Sequence, residues 1–189
     1  MYKNLPALFI YLDQYNDQIF KNNTTNLGII YRNYNSSKRE IELSKIAQAC
    51  KKKRYKLYVS NDLKLAIKVK ADGIYIPSFN KTSVFTNLEK KNLKIIGSAH
   101  NIKEIHQKIL QKCEAIFISP IFQTKKNKGF LNIHKFNFLV KRSKLSIYAL
   151  GGININNMHK LKLTNAKGFA GISMFKKKTG LKKAGFFKI

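Results

Sequence analysis

The sequence predicts an α/β protein built as a closed barrel of eight parallel strands. Eight short runs rich in Ile, Val, Phe and Tyr recur along the chain, with longer segments of helical apolar spacing between them. Apolar parallel strands covered by helices occur in open doubly wound sheets and in closed barrels, and the count of eight favours closure. No linker or change of composition divides the 189 residues, so we expect one compact domain over residues 1–189.

The predicted strands are short and almost wholly apolar, as is typical of a sheet buried on both faces. In chain order they are Ala7–Leu12, Asn26–Tyr31, Lys56–Ser60, Gly73–Ile76, Lys94–Gly97, Ala115–Ser119, Ser146–Leu150 and Gly168–Ala170.

Helical spacing of apolar residues is clearest over Lys38–Lys52 and Ile102–Lys112. The basic run that follows Cys50 suits the end of the first helix, where cations complement the helix dipole. Asn101 is expected to cap the second helix, and the segment Asn154–Asn157 is expected to cap a helix over Met158–Leu163.

The chain carries a formal net charge of +28, which would usually indicate a nucleic-acid partner, because a polycation gains affinity by releasing counterions. Only four of its 37 basic residues are arginine, however, the side chain that reads phosphate and guanine bidentately. The chain is enriched in Lys, Asn, Ile and Phe, the residues that AT-rich codons encode, so genome composition is sufficient to explain its many lysines. We therefore do not expect nucleic acid as a partner, and a basic nucleic-acid-binding protein is the third of three functional alternatives.

Cysteine usage and hydropathy indicate a cytoplasmic protein. Cys50 and Cys113 lie in apolar patterns without Cys-x-x-Cys spacing, which indicates buried thiols in a reducing compartment. The apolar stretch near the N-terminus is interrupted by Pro6, ends at Asp13 and is far shorter than the ~20 residues of a membrane span. We expect neither a signal peptide nor a membrane partner.

Two glycine-broken strand ends near the C-terminus suggest a phosphate cradle. One strand ends on Gly151-Gly152, and the next ends on Gly171, just before Ile172 and Ser173. Backbone N–H groups at such turns and at helix N-termini lack intrahelical acceptors and can converge on an anion. In eight-stranded α/β barrels the loops after strands seven and eight are a frequent phosphate site. The alternative is that the glycines form only a tight turn.

Five ordered segments resemble thiamine phosphate synthase and its TenI-type tautomerase relatives. They are Ala71–Ile76, Ile96–His100, Ser119–Thr124, Ala149–Ile153 and Ala166–Ser173. The resemblance covers about residues 7 to 175 and implies a TIM (β/α)8 barrel. It also implies a transferase that joins a pyrimidine diphosphate to a thiazole phosphate, or a relative that only binds or tautomerises a thiazole phosphate. The partners would then be small phosphorylated substrates, and the family carries a weak implication of a homodimer.

The resemblance assigns roles to several strand-end residues. The long loop Pro120–Asn132 is a candidate flap. Arg32, Ser98, Thr124 and a lysine of this flap correspond to the family's diphosphate-facing groups; Asn127 occupies the matching lysine position, so Lys126 or Lys128 would serve. Tyr75 stands where the family has a histidine in the pyrimidine pocket. The backbone at Gly151, Gly152, Ile172 and Ser173 corresponds to the thiazole-phosphate site.

Departures from the family pattern are concentrated at its metal and proton-transfer positions. The family holds Mg²⁺ with two aspartates; here the first falls on Asn61 or Asp62, depending on a one-residue gap, and the second falls on Asn80. Mg²⁺ prefers anionic oxygen, so we expect these residues to bind it weakly unless the diphosphate supplies most ligands. Asp62 precedes a helical pattern and is equally well explained as an N-cap. Ser119 stands where the tautomerase has a histidine, whereas His100, His134 and His159 are interpreted as surface or structural residues.

Overall fold

The computed structural model describes residues 5–21, 26–85, 92–125 and 129–171, and it confirms the closed barrel. Each strand pairs in parallel with the next along the chain, and the eighth strand closes the ring by pairing with the first, from Leu8↔Phe169 to Ile10↔Gly171. The strands are β1 (Leu8–Leu12), β2 (Leu27–Tyr31), β3 (Lys56–Ser60), β4 (Gly73–Ile76), β5 (Lys94–Ala99), β6 (Ala115–Ile118), β7 (Ser146–Leu150) and β8 (Gly168–Gly171).

Side chains on alternate strand positions fill the barrel interior. The inner cluster is aromatic, and Phe9 stands at its centre, with ring centroids 5.0 Å from Phe117 and 5.2 Å from Tyr148. A Cβ atom on Gly28, opposite Phe9 in the β1–β2 ladder, would lie 2.3 Å from the Phe9 ring, so this ring requires a glycine neighbour. The intervening positions, such as Ile10 and Ile29, face the outer core beneath the helices.

The described helices cover the outside of the barrel. They are α1 (Asp17–Lys21), α2 (Arg39–Lys53), α3 (Leu63–Lys68), α4 (Ile102–Leu110) and α5 (Asn132–Lys141), followed by a 3₁₀ helix over Met158–Leu163. None of the helices in the described ranges is long and apolar enough to cross a membrane.

The capping predictions were partly correct. Asn101 accepts a hydrogen bond from the Glu104 N–H at 3.0 Å and caps α4. The prediction for the asparagine segment was wrong, because Asn157 makes no side-chain cap. Instead Asn154 Oδ1 accepts from the N–H groups of Asn156 and Asn157, which closes a turn before the 3₁₀ helix.

Both cysteines are free and buried, as predicted. Burial raises the pKa of the Cys50 thiol and raises that of Cys113 to about 12, so both are inert thiols at neutral pH.

Candidate functional site

The carboxyl ends of the strands surround a cavity of about 470 Å³, which we call the mouth cavity. Three of the predicted site residues, Arg32 after β2, Tyr75 on β4 and Ser98 on β5, line it together. Parallel strands deliver their carboxyl ends to one side of the sheet, which explains why residues 66 positions apart meet there. Ser119 and Leu150 add the ends of β6 and β7 to the same wall.

Arg32 is the strongest cationic group of the mouth cavity. Its guanidinium lies over the Tyr11 ring, 5.3 Å from the centroid, and its Nε is 3.8 Å from Asp13 Oδ1. Within the described residues Arg32 has no other acidic partner. A guanidinium that is stacked on one face, with a single distant carboxylate, keeps donors available for an anionic ligand.

Two buried tyrosines form the floor beneath Arg32. The rings of Tyr11 and Tyr75 contact edge to face with centroids 5.5 Å apart. Burial raises the pKa of both phenols, so both stay neutral and can donate a hydrogen bond. Tyr11 and Asp13 were not singled out in the sequence, although their places at the end of the first strand were a usable signal.

His100 is exposed, as the sequence suggested, and it also lines the mouth cavity. Its Nδ1 lies 2.7 Å from the Ser119 carbonyl oxygen, and its Nε2 lies 3.2 Å from Ser78 Oγ. Because a carbonyl oxygen can only accept, Nδ1 carries the proton, and in the neutral ring Nε2 accepts from the Ser78 hydroxyl. The imidazole thus links the loops after β4 and β6 across the cavity.

The residues at the expected metal positions pair with each other instead of forming an open carboxylate site. Asn61, in the left-handed region with φ of 57°, accepts a hydrogen bond at Oδ1 from Asn80 Nδ2. Asn80 Oδ1 in turn accepts from the Thr82 N–H and hydroxyl at 2.8 and 2.9 Å. Asp62 turns away: one oxygen accepts from the Leu65 N–H and caps α3.

The second Asp62 oxygen accepts from Arg39 Nη1 at 2.9 Å. The structure therefore brings Asn61, not Asp62, to Asn80. Over the ranges that the structure describes, no group of three or more His, Cys, Asp or Glu side chains could hold a metal. Two neutral amide oxygens that already accept hydrogen bonds do not fit Mg²⁺, which prefers several anionic or water oxygens.

The Gly151-Gly152 turn lies against the start of the loop after β6. Both glycines have positive φ, 90° and 73°, and a Cβ on Gly152 would lie 2.3 Å from the Phe122 carbonyl oxygen. The Gly151 carbonyl accepts from the Phe122 N–H, and the Gly152 carbonyl accepts from Asn157 Nδ2. Within the described chain, the N–H groups of both glycines donate to no oxygen. They therefore keep the donors that an anion requires.

The other half of the predicted phosphate site is outside the described residues. Ile172 and Ser173 fall there, as do the flap lysine candidates Lys126 and Lys128. Thr124 is described, partly buried, in the loop after β6. Its role as a diphosphate contact stays a prediction.

The closed parallel barrel with a glycine turn after β7 places this chain in the class of (β/α)8 barrels, and sequence comparison narrows the class. Residues 19–175 match the family described as thiamine monophosphate synthase. The chain belongs to that family, which confirms the resemblance read from the five segments.

Individual proteins support the same assignment. The thiamine-phosphate synthase of Pediococcus pentosaceus is 27% identical over 176 residues, which cover 87% of this chain and 81% of that protein. A Prochlorococcus marinus subsp. pastoris thiamine-phosphate synthase is 35% identical over 131 residues, 66% of this chain, but the match spans only 36% of that longer protein. Among solved structures, thiamine phosphate pyrophosphorylase from Pyrococcus furiosus superimposes with a TM-score of 0.71 at 18% identity, covering 96% and 95% of the two chains, and this similarity supports the barrel fold.

Proposed function

We propose that this protein is a thiamine phosphate synthase, a transferase that joins a hydroxymethylpyrimidine diphosphate to a thiazole phosphate and releases pyrophosphate. The observation that carries the proposal is the convergence of Arg32, Tyr75 and Ser98 on one cavity, beside a glycine turn whose N–H groups donate to no oxygen of the described residues. Relatives named thiamine-phosphate synthase over most of the chain support it.

The reaction breaks the bond between the pyrimidine methylene carbon and the diphosphate oxygen, and the electron pair leaves with the diphosphate. The thiazole nitrogen lone pair then forms the new carbon–nitrogen bond. The difficult step is separating charge, so the protein's main contribution is to stabilise the departing diphosphate electrostatically. Arg32 supplies a fixed cation, the Ser98 hydroxyl donates to a diphosphate oxygen, and Thr124 and Lys126 complete the contact from the flap.

The pyrimidine would lie over the tyrosine floor. Tyr75 and Tyr11 are neutral phenols with their rings packed in the barrel interior, so they offer an apolar face and a hydroxyl donor. The thiazole phosphate would then bind through the N–H groups of Gly151 and Gly152, and Ile172 and Ser173, which fall outside the described residues, stay predicted contacts. The thiazole nitrogen would then face the mouth cavity, where the diphosphate leaves the methylene carbon that the nitrogen attacks.

The proposed site has few side chains suited to binding a metal. The Asn61–Asn80 pair is uncharged and Asp62 is turned towards α3 and Arg39, so any Mg²⁺ would be held by diphosphate oxygens rather than by these side chains. We route no chemical step through the metal. Arg32 and the neighbouring lysines carry the charge stabilisation in this proposal.

The proposal is tested by incubating the protein with both substrates and measuring thiamine phosphate and pyrophosphate together. Equal amounts of the two products are expected, and none when either substrate is omitted. Arg32→Ala should lower kcat/KM by about 100-fold, because charge-assisted contacts to a leaving group contribute roughly 2 to 4 kcal/mol. The matched control is Arg142→Ala, whose guanidinium stacks on Phe138 at the end of α5, and it should leave kcat/KM within about twofold.

A second function, binding or tautomerising a thiazole phosphate without the transfer, is favoured by one observation. The carboxylate pair of the family is replaced by an amide pair whose oxygens already accept hydrogen bonds. Tight binding of thiazole phosphate with no product from the two-substrate mixture would select this alternative. Salt-sensitive binding of random duplex DNA would instead support the third alternative, a nucleic-acid-binding protein.

A further inference from the structure

Lys108 on α4 is a fully buried lysine whose ammonium is completely surrounded by oxygen acceptors. Its relative exposure is 0%, and it is the single charged side chain in the buried set of the described residues. Nζ donates to the Pro77 carbonyl at 2.8 Å, to the Asn80 carbonyl at 2.9 Å and to Gln111 Oε1 at 2.8 Å. Three acceptors match the three protons of an ammonium, so the buried charge is fully hydrogen-bonded.

The lysine reaches this position by crossing the outer face of β5. A Cβ on Gly97 would lie 2.9 Å from Lys108 Cδ, so the aliphatic stem runs directly over that glycine. Burial lowers the pKa of Lys108 to about 8, and the weaker influences of the Cys113 thiol and the Glu104 carboxylate act in the opposite direction. A buried ammonium is costly, so a lysine whose three N–H groups are all hydrogen-bonded in the interior points to a specific structural role.

That role is visible in the segment whose carbonyls it binds. Residues 77–82, which we call the β4 loop, follow β4 at the rim of the barrel. Gln111 also holds this loop, because its Nε2 donates to the Asn80 carbonyl at 3.0 Å and to the Thr82 carbonyl at 2.7 Å. Together Lys108 and Gln111 attach the β4 loop to α4 at four points.

The β4 loop presents three side chains to the functional end of the barrel. Ser78 contacts His100 Nε2, Phe79 packs against the Tyr34 ring with centroids 6.1 Å apart, and Asn80 donates to Asn61. Ser78 and Phe79 line the mouth cavity itself, opposite Arg32. The glycine turn after β7, by contrast, makes no contact with the β4 loop among the described hydrogen bonds.

We propose that Lys108, with Gln111, is a positioning residue that holds the β4 loop in the geometry required to bind the pyrimidine diphosphate. The inference rests on the proposed transferase function. It adds that binding of the pyrimidine diphosphate, but not of the thiazole phosphate, depends on Lys108, which contacts neither substrate. Because the ammonium anchors only the mouth-cavity side, its loss affects the pyrimidine diphosphate and leaves the thiazole phosphate site intact.

The test compares the wild type with Lys108→Met, Gln111→Met and the control Lys103→Met, which removes an exposed lysine from the same helix. KM for each substrate is measured at one neutral pH, and circular dichroism establishes that each variant is folded. We expect KM for the pyrimidine diphosphate to rise about tenfold in Lys108→Met and several-fold in Gln111→Met. KM for the thiazole phosphate should stay within about twofold, and Lys103→Met should match the wild type.

A residue that only stabilised the fold would reduce the active fraction and hence kcat, with both KM values unchanged. Equal changes in the two KM values would overturn the proposal. If Lys108→Met does not fold, Gln111→Met tests the proposal by the same comparison of the two KM values.

A wild type that forms no product would refute the transferase function and leave Lys108 to be tested by binding. Calorimetry with the pyrimidine diphosphate alone then replaces KM. Affinity about tenfold weaker in Lys108→Met than in the wild type would support positioning by Lys108. Equal affinities, including no binding by either protein, would overturn it.

Discussion

Replacement of Gly152 by alanine tests whether the glycine turn is fixed by its own packing. Gly152 has φ of 73°, and a Cβ there would lie 2.3 Å from the Phe122 carbonyl oxygen, 2.5 Å from the Phe122 carbonyl carbon and 2.6 Å from the Gln123 carbonyl oxygen. All three atoms belong to backbone, which cannot rotate away as a flexible side chain can. The turn or the loop after β6 must therefore shift.

The expected loss has two parts. A left-handed backbone costs a residue with a Cβ about 1 to 2 kcal/mol, and forcing an extra carbon into a packed site costs about 1 to 3 kcal/mol. We expect Gly152→Ala to lower the free energy of unfolding by about 2 to 5 kcal/mol, measured by urea denaturation. The matched control is Gly129→Ala, because a Cβ at Gly129 meets nothing within 4 Å, and its change should stay within about 0.5 kcal/mol.

The same variant affects the proposed phosphate site. A displaced turn no longer aims the Gly151 and Gly152 N–H groups together, so affinity for thiazole phosphate should fall at least about tenfold in calorimetry on the folded variant. A stability loss below about 1 kcal/mol would refute the packing argument. Unchanged affinity despite a large stability loss would mean that the glycines serve only the turn.

Three further predictions concern residues around the site. Asp62→Ala should lower the free energy of unfolding by about 1 to 2 kcal/mol, and Asp62→Asn by less, because asparagine keeps the capping oxygen that accepts from Leu65; urea denaturation of both variants checks this. Lys108 has a pKa of about 8 in the folded protein against an ordinary value of 10.5, so the unfolded chain binds more protons between these pH values. The free energy of unfolding of the wild type should consequently rise with pH across that window, by roughly 3 kcal/mol relative to Lys108→Met, and a parallel pH dependence of the two proteins would contradict the burial cost. Asn101→Ala should cost about 1 kcal/mol through loss of the α4 cap, and an unchanged urea midpoint would show that the cap is dispensable.

The strands could be predicted from sequence because each is a short local run of apolar residues. Runs such as Leu27–Tyr31 and Ala115–Ile118 are apolar at every position, which only a sheet covered on both faces permits. Once the strands are placed, parallel topology brings their carboxyl ends together, so Arg32, Tyr75 and Ser98 could be expected at one mouth. The resemblance to the family supplied the order of the segments.

What could not be predicted depends on backbone angles and on long-range side-chain contacts. Whether Asn61 or Asp62 faces Asn80 depends on the left-handed conformation of Asn61, which turns Asp62 towards α3 and Arg39. His100 is a surface residue, as predicted, but its contacts could not be predicted, because its partners, Ser78 and Ser119, come from two other loops. Lys108 sits among many exposed lysines, and no periodicity separates the buried one from the rest, since its acceptors are carbonyls 28 and 31 positions away.

The central claim is that the barrel mouth transfers a pyrimidine from diphosphate to thiazole phosphate, and the most direct test is product formation as a function of Mg²⁺ concentration. The wild type, Asn80→Asp and Asp62→Ala are each given both substrates, and thiamine phosphate is quantified by mass spectrometry. We predict product from the wild type with weak apparent Mg²⁺ affinity, and a tighter affinity for Asn80→Asp, because a carboxylate beside Asn61 adds negative charge to the amide pair. No product from the wild type or from Asn80→Asp at saturating Mg²⁺, together with intact thiazole phosphate binding, would contradict the transferase and leave a thiazole-phosphate-binding protein.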